Sequence, residues 1–484
     1  MRPRLIVLAP AAFLLTLGAT LAHPQARKPD AGTKVLGSLD AKAEHYATVA
    51  KQIWGFAEVG YQEVKSSALL QSEFERAGFV LERGVAGEPT AFTATFGSGK
   101  PVIAVIGEFD ALPGLSQDAT PTKKPMFEGG AGHGCGHHLF GTASTATAIA
   151  VKEWMVANKI PGTLRFYGTP AEEGGAGKVY MVRAGLFNDV DVAVAWHPGD
   201  RNVADANSTL ANISAKFRFH GVSSHAAAAP DKGRSALDGV EAMTHMVNMM
   251  REHVPQDTRI HYVITAGGRA PNVVPDFAEV FMYARQSDMR VLDAIWERII
   301  AASNGAAMGT GTTVDHETIA AVYNILPNEF LARVQQSNLE RVGGVNYTAE
   351  DMAFATQLQK SLDGPVPALA SAAQVMKWEG VSVDPASTDM GDVSWTVPTV
   401  AMTAATWVPG TPAHSWQAVA AGGTPIGAKG MMVAAKTMTL TVMDLFTDRT
   451  LIPKARAEFD RRRGPNFVYS TRLDREKPAL DYRK

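Results

Sequence analysis

Three histidines and the only thiol in the chain crowd one glycine-rich run, Gly129-Gly130-Ala131-Gly132-His133-Gly134-Cys135-Gly136-His137-His138. Glycines let such a turn bend tightly, and Cys135 and His137, two apart in extended backbone, project to the same side. Thiolate and imidazole suit borderline cations such as zinc, so the run reads as part of a metal site. A phosphate loop is the competing explanation, but the Gly-Lys-Ser/Thr pattern is missing. Further on, Gly168-Thr169-Pro170-Ala171-Glu172-Glu173-Gly174 carries two adjacent carboxylates. Neighbouring side chains cannot occupy one position, so one can bind metal while the other handles a proton. Trp196-His197-Pro198, Glu108-Phe109-Asp110 and Gly410-Thr411-Pro412-Ala413-His414-Ser415 complete a set of candidate ligands and of groups that orient them.

These groups need a scaffold that brings distant segments together. Strand-like runs at 102–106, 163–167 and 190–196 alternate with helical patterns at 39–54, 66–77 and 141–158. The order predicts an α/β catalytic domain with a largely parallel central sheet flanked by helices, its site at the carboxyl ends of the strands. The middle third changes character. Strands at 213–219, 260–265, 277–285 and 312–323, with helices at 235–251 and 291–302, spell β-α-β-β-α-β, an inserted α+β ferredoxin-like unit. Helix–strand alternation resumes after Asn324. The expected divisions are an export signal at 1–22, the first catalytic part at 35–208, the insert at 209–324, the second catalytic part at 325–450 and a C-terminal tail at 451–484. With Arg461-Arg462-Arg463, that tail reads as a solvated charged segment.

Composition narrows the class. The 484 residues are 46% hydrophobic and 19% charged, which excludes disorder as the main state and permits one large core or two smaller ones. Forty-six basic against 48 acidic residues, a net charge of −2, argue against nucleic acid or an acidic membrane as the main partner. Arg2 and Arg4, an apolar run and Thr20-Leu21-Ala22 read as an export signal, so the mature protein is expected to be periplasmic or secreted. In an oxidising compartment an unpaired Cys135 calls for burial or a bound metal.

Taken together, His133-Gly134-Cys135-Gly136-His137, Ser387-Thr388-Asp389-Met390-Gly391-Asp392-Val393-Ser394-Trp395 and His414-Ser415-Trp416-Gln417 resemble the metal-dependent aminoacylase and carboxypeptidase superfamily. The resemblance is to its amidohydrolase branch, spans roughly residues 39–448, and is closest to the aminobenzoyl-glutamate hydrolases. It implies two divalent cations per chain, zinc or manganese, bridged by the Cys135 thiolate with His137, Glu173, His197 and His414 as the other ligands. Glu172 would be the general base, and Asp110 would orient a histidine ligand. The insert would be a lid and dimerisation domain. Its Gly221-Val222-Ser223-Ser224-His225 loop would place His225 in a partner subunit's site to stabilise the oxyanion, and Asn272 and Arg285 would contact a substrate carboxylate. The implied activity is hydrolysis of the amide bond of N-acyl amino acids by metal-activated water, in a homodimer or a heteromer with a related subunit. Many members of the branch carry Asp where this chain has His138. Two other functions fit parts of the sequence: an amidase with Cys135 as nucleophile, and a non-catalytic exported protein that binds metal or solute.

Overall fold

In the computed structural model, residues 31–483 are described; the expected export signal lies outside them. The strands in chain order are β1 (Val80–Arg83), β2 (Phe92–Ser98), β3 (Val102–Glu108), β4 (Gly162–Thr169), β5 (Val192–Val194), β6 (His197–Gly199), β7 (Val203–Asp205), β8 (Ala211–His220), β9 (Arg259–Ala266), β10 (Phe277–Gln286), β11 (Thr313–Val322) and β12 (Thr399–Ala405). β3 is buried along its whole length. Its uninterrupted Val-Ile-Ala-Val-Ile run has no solvent face because helices cover both sides of the sheet. The larger sheet runs β1-β2-β4-β3-β5-β12-β6, with β7 beside β12. The β4–β3, β3–β5, β5–β12 and β12–β6 pairs are parallel, and antiparallel strands occupy the margins.

Two details of this sheet position the candidate groups. Glu108, at the end of β3, pairs in register with Thr169, at the end of β4, so the segments bearing Asp110 and Glu172-Glu173 emerge side by side. The helix His137–Asn158 packs its small residues against β3. A Cβ at Gly141 would lie 2.8 Å from the Glu108 carbonyl, so glycine permits that approach. The helix begins at His137, earlier than the periodicity suggested, because the left-handed Gly136 (φ 76°) precedes it.

The 190–196 run is not one strand. β5 and β6 flank β12 on opposite sides, and the chain crosses from one side to the other at Ala195-Trp196, bringing His197 to the sheet's carboxyl end. Beyond Asn324 the expected alternation reduces to β12 among helices, chiefly Glu329–Val342, Ala349–Gln359 and Pro425–Thr447. None of the described helices is long and apolar enough to cross a membrane.

The insert forms a separate antiparallel sheet, β11-β8-β10-β9, which is the ferredoxin-like order. Along β10, buried Ala278, Val280, Met282 and Ala284 alternate with Glu279, Phe281, Tyr283 and Arg285 on the other face. The helices Ala236–Met250 and Met289–Thr310 cover the buried face and close a second core.

The expectation of a solvated tail at 451–484 is corrected. Residues Leu451–Arg463 form a helix packed on the helix Glu329–Val342, and the chain then crosses the insert, where Leu473 enters the second core. Arg472 makes two hydrogen bonds to Asp293, and Arg183 of the catalytic part donates to the carbonyls of Arg475 and Glu476. Arg462 pairs with Glu329 of the catalytic part, and Arg472 and Arg475 pair with Asp293 and Glu317 of the insert.

Candidate active site

Cys135 and His137 take their relative positions from the Gly136 turn. A side chain at 136 would strike Pro198 at 2.7 Å, so β6 itself packs directly over this turn. The Cys135 Sγ then lies 3.4 Å from His197 Nε2, while His197 Nδ1 donates to its neighbour's carbonyl, that of Pro198, at 2.8 Å. That leaves Nε2 with its lone pair toward the thiol.

Asp110 organises the other side. One carboxylate oxygen accepts from His137 Nδ1 at 2.9 Å, and the other accepts the Glu173 backbone N–H at 2.9 Å. A single carboxylate therefore sets the ring of His137 and the backbone of Glu173, leaving His137 Nε2 directed inward. Burial disfavours the charge on Asp110, but His137 outweighs it and holds the carboxyl below its usual value. Burial likewise opposes the His137 imidazolium, and Cys135, Asp110 and Glu108 together raise its pKa well above the usual range.

Three of the groups near the site occupy a backbone region that costs L-residues energy. Ala171 (φ 55°) and Ala176 (φ 56°) flank the Glu172-Glu173 turn, and His414 itself is left-handed (φ 57°). The His414 N–H donates to the Gly134 carbonyl, which ties the downstream loop to the glycine-rich run. Its Nε2 reaches within 3.2 Å of Glu173 Oε1.

The donor atoms fall into overlapping sets, each within 4.8 Å: Cys135, His137 and His197; Cys135, Glu173 and His414; Glu108, His137 and Glu172. Cys135 belongs to the first two, and Glu172 falls in a different set from Glu173. His137 Nε2, Glu173 Oε1 and Glu108 Oε2 are buried without a hydrogen-bond partner. Close polar atoms that do not align with one another, around a buried thiol, form a donor set that fits borderline divalent cations. Burial pushes the Cys135 thiol up, so without a cation it is not poised as a free nucleophile.

Beneath this layer lies a buried network that sequence reasoning did not find. Lys178, fully buried, sits 2.7 Å from Glu108 Oε1 and 2.6 Å from Asp389 Oδ1, while Glu108 Oε2 faces His137 Nε2 at 3.1 Å. Burial acts to discharge Lys178, and the two carboxylates overcome it, raising its pKa. Desolvation, then the charges of Glu108, Glu173 and Asp389, raise the Glu172 carboxyl well above its ordinary value. A lone lysine before the apolar Val179-Tyr180-Met181 was the available signal. His133 and His138 are structural: they bond the carbonyls of Ile53 and Gly422, and burial lowers the His133 pKa to about 4.

The insert's candidates are arranged differently. His225 is exposed and its Nδ1 accepts from the Ala227 and Ala228 N–H groups; the Asn272 carbonyl accepts from Ala226, so these two share one loop pair. Arg285 lies toward the far end of β10 from them, where Nη1 donates to Ser387 at 3.3 Å beside the Asp389 segment. From Phe277 to Arg285 the strand spans roughly 26 Å, so Asn272 and Arg285 of one chain do not meet at one carboxylate.

Comparison with known proteins gives a consistent picture. The chain is 42% identical over 449 residues to one of the named subunits of the p-aminobenzoyl-glutamate hydrolase of Escherichia coli (strain K12), covering 87% of this chain and 93% of that protein. Its fold is similar to that of the aminobenzoyl-glutamate utilization protein from Klebsiella pneumoniae, with a TM-score of 0.61 at 17% identity over 85% of this chain and 98% of the other. It is also similar to a dinuclear metal-binding peptidase of the M20 family from Bacillus subtilis, with a TM-score of 0.57 at 16% identity over 84% and 100%. The profile of Peptidase family M20/M25/M40 matches residues 104–420, a stretch that runs from β3 through the glycine-rich run and the insert to His414. With well over half its length inside that match, the chain belongs to peptidase family M20/M25/M40 and is a hydrolase.

Proposed function

We propose that the protein hydrolyses the amide bond of N-acyl amino acids, with two divalent cations, zinc or manganese, held by Cys135, His137, Glu173, His197 and His414. The observation that carries this reading is that Cys135 is common to two donor sets, as a thiolate between two cations would be. When bound, such cations supply Lewis acidity at the scissile carbonyl and a water acidic enough to attack at neutral pH. Glu172, outside both cysteine sets, accepts the proton of the attacking water and returns it to the leaving amine nitrogen. Asp110 keeps His137 and Glu173 in place throughout.

The insert completes the site in this proposal. His225 stabilises the oxyanion from a second copy of the chain, consistent with its exposure and with the exposed Val263 and Ile264 on the edge strand β9. Arg285 and the partner's Asn272 hold the substrate carboxylate. An acyl-glutamate resembling aminobenzoyl-glutamate is the favoured substrate, on the similarity to the Escherichia coli protein. That relative is named as one of two different subunits of its hydrolase, and the other is 28% identical to this chain, which supports a heteromer beside the homodimer. Export on residues 1–22 is part of the same proposal.

Metal analysis of active protein, together with hydrolysis of a panel of N-acyl amino acids before and after chelation, tests the reading. Two cations per chain and chelator-sensitive cleavage are expected. Turnover by metal-free protein that is abolished in Cys135→Ser would establish the cysteine nucleophile instead.

A further inference from the structure

We propose that residues 467–483 form an intramolecular strap whose end buttresses the Glu172-Glu173 turn, with Tyr482 and Arg483 as positioning residues for that carboxylate pair. The inference rests on the metal reading of Glu173 and adds an element that nothing in the family match, which ends at residue 420, includes.

The turn needs such support. It continues into Gly174-Gly175-Ala176-Gly177, a run with little intrinsic stiffness, and it is bounded by left-handed alanines. Two contacts hold its inner side: Asp110 takes the Glu173 N–H, and the Tyr61 hydroxyl donates to the Gly175 carbonyl at 2.8 Å. The outer side is held by the strap. Tyr482 Oη donates to the Glu173 carbonyl at 3.1 Å and Arg483 Nη2 to the same oxygen at 2.5 Å. A carbonyl has two lone pairs, and these donors can use both. The peptide units on either side of the Glu173 Cα are therefore clamped, one by the group that also orients His137, the other by the strap.

Packing at the strap's end points the same way. The Tyr482 ring meets Tyr61 edge to face with centroids 5.8 Å apart, so the strap backs the tyrosine that holds Gly175. A Cβ at Gly60 would come 2.2 Å from Tyr482 Oη, so the preceding loop leaves room for the strap only as glycine. Gln62 donates to the Leu480 carbonyl at 2.9 Å, fixing the approach. Upstream, Arg472 with Asp293, buried Leu473 and Arg183 with the carbonyls of Arg475 and Glu476 anchor the strap independently of its last residues. Changes at 482 and 483 therefore test the end of the strap without releasing the rest of it.

The experiment loads the full-length protein with cobalt(II), whose thiolate charge-transfer band reports the ligand geometry at Cys135. It compares unmutated protein with Tyr482→Phe, Arg483→Ala, the double variant and Arg483→Lys. Phenylalanine keeps the ring on Tyr61 and removes only the donor. The double variant is expected to release cobalt to a chelator about tenfold faster, as for loss of groups that orient a metal ligand, with an altered band, lower kcat and unchanged KM. Arg483→Lys, which keeps a charged donor, recovers most of the single-variant loss. The thermal midpoint of the metal-free forms stays the same. Equal release rates and identical bands in all variants overturn the proposal, as does a rise in KM alone with metal binding intact, which would make Arg483 a contact to substrate. Unmutated protein that takes up no cobalt sinks the metal reading and the strap's role together.

Discussion

The catalytic part and the insert present their candidate groups in opposite ways. In the catalytic part, residues from positions 108 to 414 converge on donor sets within 4.8 Å, with Asp110 coupling two of them and Lys178 neutralising the carboxylates beneath. In the insert, His225 and Asn272 share an exposed loop pair, and Arg285 lies toward the other end of the same strand. One region is a constellation assembled within a single chain; the other holds groups that, under the proposal, acquire a common target only when a lid closes or a second copy supplies them. The difference teaches where the two halves of the proposed reaction reside. In that proposal, proton transfer and ligation belong to the sheet ends, and oxyanion and carboxylate recognition belong to the insert.

The sharpest break of this comparison is inside the carboxylate pair. Glu172→Gln is expected to keep both cations and lose on the order of 10²-fold or more in kcat, while Glu173→Gln loses metal first and activity as a consequence. Elemental analysis beside turnover separates the two. Metal loss of equal size in both variants would show that Glu172 is a ligand. Asp110→Asn should weaken metal binding about 10- to 100-fold, because it frees both the His137 ring and the Glu173 backbone. Chelator competition measures it, and an unchanged affinity would show that neighbouring contacts alone fix those ligands.

The division between chains is tested by mixing. Glu172→Gln and His225→Ala homodimers are each inactive in the proposed arrangement, but a mixed dimer carries one site with both groups intact. After complete exchange of equal amounts, half the dimers are mixed, and about a quarter of the unmutated activity is expected. Verified exchange without recovery would return His225 to its own chain's site through lid motion.

Much of this arrangement was legible in the sequence, for identifiable reasons. The 102–106 run could be read as a strand because a parallel sheet buried on both faces needs continuous apolar residues, and Thr-Leu-Arg-Phe-Tyr at 163–167 through its β-branched and aromatic residues. The insert was legible through its alternating strands, which keep one face in the second core. Cys135, His137 and the Glu172-Glu173 pair stood out because a core has no use for them. Lys178 did not stand out as part of the site, since one of its partners, Asp389, lies 211 positions away and only the fold makes them neighbours. The strap was misread for a related reason. Arg461-Arg462-Arg463 and the charges beyond it suggest water by composition, but Arg472 is committed to Asp293 and Arg475 to Glu317. The split of 190–196 into β5 and β6 depends on β12, some two hundred residues downstream, sliding between them.

The smallest expected effect concerns Arg285, whose position at the seam between insert and catalytic part makes it the test of substrate recognition. Its guanidinium lies over the Tyr283 ring and reaches Ser387, but its Nε is buried without a partner, and burial lowers its pKa. A guanidinium with donor capacity left over is suited to a carboxylate, which it can meet with two parallel hydrogen bonds. Unmutated protein should therefore cleave N-acyl amino acids with a free α-carboxylate and discriminate against the corresponding amides. Arg285→Ala should reduce that preference by about tenfold, in line with loss of a charge-assisted hydrogen bond, while cleavage of the amides stays nearly constant. Reading kcat/KM for acid and amide in both proteins isolates the effect from any change in metal content. Equal cleavage of acid and amide by the unmutated protein would remove the carboxylate from recognition, and the insert's role would then narrow to His225 and the closing of the site.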